Sequence, residues 1–291
     1  MATGSTPTRT VAKPLPDHFM VLLDGAAYGE VRSNDFLHDH FARVKGKNAN
    51  SSLAGRYTTV GLAGRETLLE LFGAPVPGPR PVTGGLVFSF PRVGSALEAR
   101  RLLAEEYGVS SHHELVRRTE PGKPGGRPWY HLVSVDLGAD SPVVLFLNEV
   151  TPEYYATLGA RPGPDGELSR AAYLDGVLGP SSGPETLMAD IAGATLRLRP
   201  ERVRRVATVL GALGYAHDSD GADTMVHDGS IRLRLRPDDT AVEGLTEVEV
   251  ALTATVDAAE HHFGATCRLA VGPDDRARWR FTPVDPAELR R

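Results

Sequence analysis

Glu70 is the residue whose type and place most demand a chemical reason. It stands in Thr67-Leu-Leu-Glu-Leu-Phe-Gly73, one carboxylate among leucines, in a stretch that reads as a short strand. Burying such a group is costly unless a cation or a donor answers it. A carboxylate held there serves as a ligand or as a general base with a raised pKa. Its plain reading is a rim residue facing water. His18 is the second candidate, at the head of His18-Phe-Met-Val-Leu-Leu-Asp24. Its plain reading is a half-exposed histidine at a strand end. Glu149 closes the apolar run Val143–Val150, where a solvated carboxylate is ordinary, and His131 lies on the neighbouring run Tyr130–Leu137. Tyr57, Tyr130, Tyr154 and Tyr173 either line a cup or fill a core.

Other clusters carry less. His38 and His40 fall on the polar side of a short helix, and His112-His113-Glu114 leads from a loop into a strand. The dense set His217, Asp218, Asp220, Asp223, His227 and Asp228 sits around turns and reads as solvated, as does His261-His262. Gly122-Lys-Pro-Gly-Gly126 lacks the Lys-Ser/Thr that completes a phosphate loop. Neither a nucleophile elbow nor a dinucleotide fingerprint is present. With the single cysteine Cys267, a disulfide framework and a multi-cysteine metal site are both excluded.

The elements that must position these residues follow from pattern. His18–Asp24 is an apolar strand, and Ser33 or Asn34 caps a helix through Phe41. Lys45–Gly55 reads as a polar loop. Two strands joined at Gly64-Arg65-Glu66 then carry Tyr57 and Glu70. Four prolines between Gly73 and Gly84 make that stretch a linker. A second unit repeats the order: strand Gly85–Phe90, helix Ser95–Tyr107, then strands His113–Arg118, Tyr130–Leu137 and Val143–Val150. Pro152–Asp190 reads as a wrapping segment with a short helix at Arg170–Leu174. A third unit has strand Thr195–Arg199, helix Pro200–Leu213 and strands Asp223–His227 and Ile231–Arg236. Strands at Glu247–Thr255, Cys267–Val271 and Arg278–Phe281 look like a shortened fourth. The class is α+β, with a β-α-β-β-β theme in tandem.

Composition agrees with a soluble globular chain. Of 291 residues 41% are hydrophobic and 24% charged, and the net charge of −5 gives no support for nucleic acid as a partner. No apolar run approaches the roughly 18–20 residues of a membrane span. The Thr/Pro-rich start has no apolar core of a secretory signal, so a cytoplasmic protein with a disordered tail over residues 1–13 is expected.

With that order in place, the chain resembles the vicinal oxygen chelate, or glyoxalase-like, superfamily. Asp17-His-Phe-Met-Val21 is similar to an opening strand headed by a ligand histidine, and Thr67-Leu-Leu-Glu-Leu-Phe-Gly73 to a closing strand with a ligand glutamate. The run from Tyr57 to Phe72, with Ser169-Arg-Ala-Ala-Tyr-Leu174, resembles a bacterial glyoxalase-like family of undefined function. The resemblance implies tandem βαβββ modules forming cup-shaped mixed sheets. Paired modules would span 14–152 (14–77 and 83–152), a wrapping linker 153–191 and C-terminal pseudo-modules 192–291, with the last region extending the sheet or forming a homodimer surface. It also implies a divalent metal (Fe, Mn, Ni or Zn) held by His18, Glu70 and Glu149, with His131 as a substitute ligand. Tyr57, Tyr130 and His131 would line the substrate site. Gly85, where a fourth ligand would stand, has no side chain to offer. The implied function is a metal-dependent lyase, isomerase or oxygenase acting on a small oxygen-bearing metabolite. Two alternatives stay open: a non-catalytic, antibiotic-sequestering type of binding protein, and a metal-free acid/base enzyme with Glu70 and His18 as catalytic groups.

Overall fold

The computed structural model describes residues 11–75, 81–120, 123–179 and 185–290. The middle of the four-proline stretch, most of the N-terminal tail and the Gly/Pro cluster around residue 182 lie outside them.

The first half is a closed barrel. Strand β1 (Leu15–Leu22) leads to helix α1 (Gly25–Arg32), a π-helical turn at Leu37–Phe41, and strands β2 (Arg43–Ser51), β3 (Gly55–Ala63) and β4 (Leu68–Phe72). The order then repeats as β5 (Gly84–Ser89), α2 (Ser95–Tyr107), β6 (Ser111–Glu120), β7 (Lys123–Val135) and β8 (Val143–Val150). Around the barrel the strands run β1-β4-β3-β2-β6-β7-β8-β5. Strand β1 pairs parallel to β4, and β5 parallel to β8, so each β-α-β-β-β unit closes on its own first strand. The ring is joined between β2 and β6 at Ser51↔Arg118.

Alternation sets the two faces of each strand. Phe19, Val21, Val60, Leu62, Leu69, Leu71, Leu86 and Phe88 point outward into a core shared with α2 and the C-terminal half. Inside, Met20, Leu22, Phe72, Val87 and Val144 form an apolar plug.

The helix expected through Phe41 is present, with Asn34 Oδ1 accepting from Leu37 N at 3.1 Å, and a further helix precedes it. Asp24 caps α1, its Oδ1 accepting from Ala26 N and Ala27 N at 2.9 Å each. Helix α1 therefore starts at Gly25. The expected loop at Lys45–Gly55 is mostly strand β2, paired with β3 along its whole length from Arg43↔Ala63 to Ser51↔Gly55. A strand whose exposed face is polar and whose other face lines a polar cavity has no apolar alternation to reveal it.

Helices α3 (Pro152–Thr157) and α4 (Arg170–Leu178), capped by Thr151 and Ser169, make up the wrapping segment. The chain then builds an open sheet from β9 (Met188–Leu198), α5 (Pro200–Ala212), β10 (Ala216–Asp220), β11 (Asp223–His227), β12 (Arg232–Pro237), β13 (Gly244–Leu252), β14 (Ala259–Phe263), β15 (Cys267–Val271) and β16 (Arg276–Phe281). Its order, β10-β11-β12-β9-β13-β16-β15-β14, is that of the barrel opened between its two outer strands. The fourth unit has lost its helix. The fold is thus α+β with tandem modules forming cup-shaped mixed sheets, the vicinal oxygen chelate arrangement. No helix among the described residues is long and apolar enough to cross a membrane.

Candidate functional site

The barrel interior holds a cavity of about 360 Å³ next to the apolar plug. Glu70 is 5% exposed on its inner wall. Its neighbours come from three strands. The Lys47 Nζ on β2 donates to Oε1 at 3.3 Å, and the Thr59 hydroxyl on β3 donates to the same oxygen at 2.9 Å. His18 Nε2 on β1 stands 3.5 Å from Oε2. Burial pushes the Glu70 carboxyl up, but the charges of Lys47 and His18 and the Thr59 hydrogen bond overcome it and hold the carboxyl below its ordinary range. The expectation of a base with a raised pKa is therefore corrected: Glu70 is held as a carboxylate. Burial works against the Lys47 ammonium, but Glu70 and the tyrosines around it raise its pKa above the usual lysine value.

A second set of charges orients His18. Its Nδ1 contacts Asp17 Oδ1 at 2.9 Å, and Arg170 Nη2 from α4 meets the same oxygen at 2.5 Å. The Ser89 hydroxyl donates to the other Asp17 oxygen. Burial would raise the Asp17 carboxyl; Arg170, His18 and Ser89 together bring it down to about 2. Two buried polar atoms close by have no protein partner, Arg170 Nε and Asn148 Oδ1, and both residues line the cavity.

The remaining wall is aromatic. The Lys47 ammonium lies 5.2 Å from the Trp129 ring centre and 5.4 Å from that of Tyr57. Arg118 stacks over Trp129 and Tyr154 at 5.6 and 5.9 Å and donates to the Tyr154 hydroxyl. Trp129 Nε1 donates to the Tyr173 hydroxyl at 3.2 Å. Burial drives the Tyr57 and Tyr130 phenols up, and the Tyr173 phenol to about 12, so all three stay protonated at neutral pH. The wrapping segment is part of this wall: Tyr154, Leu158, Arg170, Tyr173 and Val177 line the cavity. It is tied to β2 through the Lys45 ammonium, which donates to the Val177 carbonyl, and through Arg43–Asp175 at 2.9 Å.

The structure brings His18, Glu70, Tyr57 and Tyr130 together and leaves two expected residues outside. Glu149 points outward from the barrel. Its Oε1 accepts from Gly94 N at 2.8 Å and its Oε2 from Ala96 N at 2.9 Å, so it caps α2, where a carboxylate is favoured. The inner position beside it belongs to Asn148. His131 pairs with Glu149 across β7 and β8 and also faces outward, stacked on His113 with their ring nitrogens 3.1 Å apart. Lys47, Arg118, Trp129 and Arg170 are the site residues that sequence reasoning passed over. The spacing of Lys45 and Lys47, two apart in a polar stretch, is the one signal of an inward face.

The implied metal fits this donor set poorly. Glu70 stands two residues beyond the register partner of His18, which is Leu68. In the second module Gly85 pairs with Val144, and two residues beyond stands Phe146. At these two positions that half of the cup supplies no donor. A side chain at Gly85 would meet Val144 Cγ2 at 2.4 Å. No group of three or more His, Cys, Asp or Glu side chains able to hold a metal ion occurs among the described residues.

The cup of tandem βαβββ modules thus has a polar floor and an aromatic wall. The model of a family of unknown function, DUF5829, matches residues 16–281, and the chain belongs to that family. A search of curated proteins finds no match. Among solved structures the chain is similar to a variant of homoprotocatechuate 2,3-dioxygenase from B. fuscum, with 12% identity, a TM-score of 0.46 and coverage of 96% of this chain and 76% of that one. The native enzyme of Arthrobacter globiformis gives 15% identity and a TM-score of 0.41, covering 88% and 69%. BphC, a halotolerant catechol dioxygenase, gives 13% and 0.43, covering 94% and 88%. These likenesses transfer no substrate and no residue role to this chain.

Proposed function

We propose that this protein binds one small, oxygen-bearing organic molecule with a planar body and an anionic group in its N-terminal barrel. The observation that carries the reading is the cavity itself. Its volume lies at the small end of the range for organic ligands. Aromatic faces from Tyr57, Trp129, Tyr130, Tyr154 and Tyr173 suit a flat body. Four cations, Lys45, Lys47, Arg118 and Arg170, stand against two carboxylates, Asp17 and Glu70. No carboxylate among the described residues forms an ion pair with Arg118, which leaves it for an anionic group. Kinship with glyoxalase-like proteins and a cytoplasmic location belong to the same proposal.

The test is calorimetry and thermal melting with a panel of aromatic carboxylates, phenols and 2-oxo acids. Saturable, one-to-one stabilisation that falls with Arg118→Ala and Trp129→Ala is expected. A panel that leaves the wild type unmoved would count against the reading.

A second reading, metal-free acid/base catalysis, is favoured by one observation. A histidine oriented by a carboxylate through Nδ1 presents Nε2 to the cavity beside Glu70, the arrangement that passes a proton to or from a bound molecule. Turnover of a bound ligand lost in His18→Gln, with binding retained, would distinguish enzyme from binder. The metal-dependent lyase, isomerase or oxygenase reading needs a third donor, and Glu149 does not supply it.

A further inference from the structure

The barrel floor departs from the divalent-metal site that the resemblance implies, and Lys47 stands at the point of departure. We propose that the Lys47 ammonium is the fixed cation of this cup, and that the cup meets an anionic oxygen of its ligand without a metal ion. The inference rests on the reading of the barrel as a small-molecule site and adds the ligand's chemistry: a carboxylate, phenolate or enolate oxygen.

Three observations converge. First, both Glu70 oxygens already have partners. Oε1 accepts from Lys47 and Thr59, and Oε2 faces His18 Nε2. A dication bound between His18 Nε2 and Oε2 would lie within roughly 6 Å of the ammonium, a like-charge contact that weakens the metal and expels one cation or the other. Second, the ammonium is held in place. The ammonium lies over the rings of both Tyr57 and Trp129, and strand β2 fixes its backbone opposite Thr59. An aromatic cage of this kind stabilises a cation without neutralising it. Third, the other half of the cup places no donor where the first half places His18 and Glu70: its register-equivalent positions are Gly85 and Phe146, and Glu149 is held by the start of α2.

The chemistry then changes in kind. A metal polarises two vicinal oxygens at once. An ammonium offers three N–H donors; Glu70 takes one here, and the group can bind a single anionic oxygen through another. Arg118, on the same aromatic wall, is the cation for a second acidic group on the ligand.

The experiment uses the full chain, expressed with iron, manganese, nickel and zinc in the medium, desalted and assayed for metal content. The wild type is expected to carry no stoichiometric metal, and its melting temperature to ignore a chelator. Lys47→Met keeps the length of the side chain in the cage and removes its charge. This variant is expected to bind zinc or nickel at least about ten-fold more tightly than wild type in calorimetry, and to lose that gain when His18→Ala is added. Lys47→Arg, which keeps the charge, is expected to stay metal-free. Near-stoichiometric metal in the wild type, lost on Glu70→Ala, overturns the proposal. So does a folded Lys47→Met that takes up metal no better than wild type. If Lys47→Met does not fold, the wild type and Lys47→Arg decide. The two readings fail separately. Bound metal overturns this one, whereas a metal-free protein that ignores every acid in the ligand panel overturns the small-molecule reading.

Discussion

The Lys47 ammonium meets the Glu70 carboxylate at 3.3 Å across an intervening strand, with the Thr59 hydroxyl donating to the same oxygen. Lys47, Thr59 and Glu70 stand on β2, β3 and β4, three neighbours in the barrel. The pairing answers the charge that the apolar strand Leu68–Phe72 would otherwise bury alone. It also sets the electrostatics of the cavity, because the carboxylate stays ionised and the ammonium stays charged.

Removing that carboxylate tests the pairing. Glu70→Gln keeps the shape and leaves Lys47 without its anion. We expect a loss of about 2 kcal/mol in urea unfolding, the scale of a hydrogen bond to a charged group. Thr59→Val, which removes one donor to the same carboxylate, is expected to cost about 1.5–2 kcal/mol. An unfolding curve for Glu70→Gln that overlays the wild type would mean that the pair adds nothing to stability.

Asp17 predicts a pH dependence. Its folded carboxyl is held at about 2, below the ordinary aspartate value, by Arg170, His18 and Ser89 acting against burial. A depressed carboxyl contributes stability that is fully present above its unfolded pKa. The contribution is lost as pH falls from about 4 through 2. Its size is about 2 kcal/mol. Asp17→Asn should therefore lower the unfolding midpoint at pH 7 and flatten the acid limb of the stability curve. Parallel wild-type and variant curves down to about pH 2 would sink the assignment.

Much of this architecture is legible in the sequence because the outward faces of the barrel strands are apolar and pack against helices. Val143–Val150 and Asp223–His227 appear in the structure with the expected bounds. His18 and Glu70 stand out as polar residues on otherwise apolar strands. What the sequence hides is the polar half of the cavity. Lys47 sits in Arg43–Ser51, a strand with no apolar period, and Arg118 and Trp129 flank a hairpin whose Gly, Pro and Lys content reads as a long turn. Glu149 is misread for a different reason. A one-residue change of phase in a strand exchanges inside for outside, and apolar residues on both faces of Val143–Val150 conceal the phase.

The seam between the two halves predicts a large effect. Arg202 on α5, 2% exposed, donates to Glu243 and Asp140, and its Nε donates to the Leu137 carbonyl at 2.9 Å. Leu137 and Asp140 precede β8 of the barrel, whereas Glu243 precedes β13 of the open sheet. Arg202→Met leaves the buried Glu243 carboxylate without this partner and is expected to destabilise by about 3–5 kcal/mol. Adding Glu243→Leu should recover part of that loss. Thermal melts of the single and double variants check both statements. A double variant no better than Arg202→Met would show that the cost is lost packing instead of stranded charge.

Glu149 separates helix capping from metal binding. Its two oxygens take the Gly94 and Ala96 amides at the start of α2, and Leu103 and Ala99 of that helix reach the shared core. Glu149→Ala leaves those amides without acceptors and removes a favourable charge from the helix N-terminus, a loss of about 1–2 kcal/mol. Glu149→Gln keeps one acceptor oxygen but turns an NH2 donor toward the other amide and removes the charge, and is expected to lose about as much. Because the side chain faces away from the cavity, neither variant should alter ligand affinity or metal content. Calorimetry with a ligand from the carboxylate panel and elemental analysis give the two readouts. A fall in bound metal with unchanged stability would return Glu149 to the cup and overturn its role as the α2 cap.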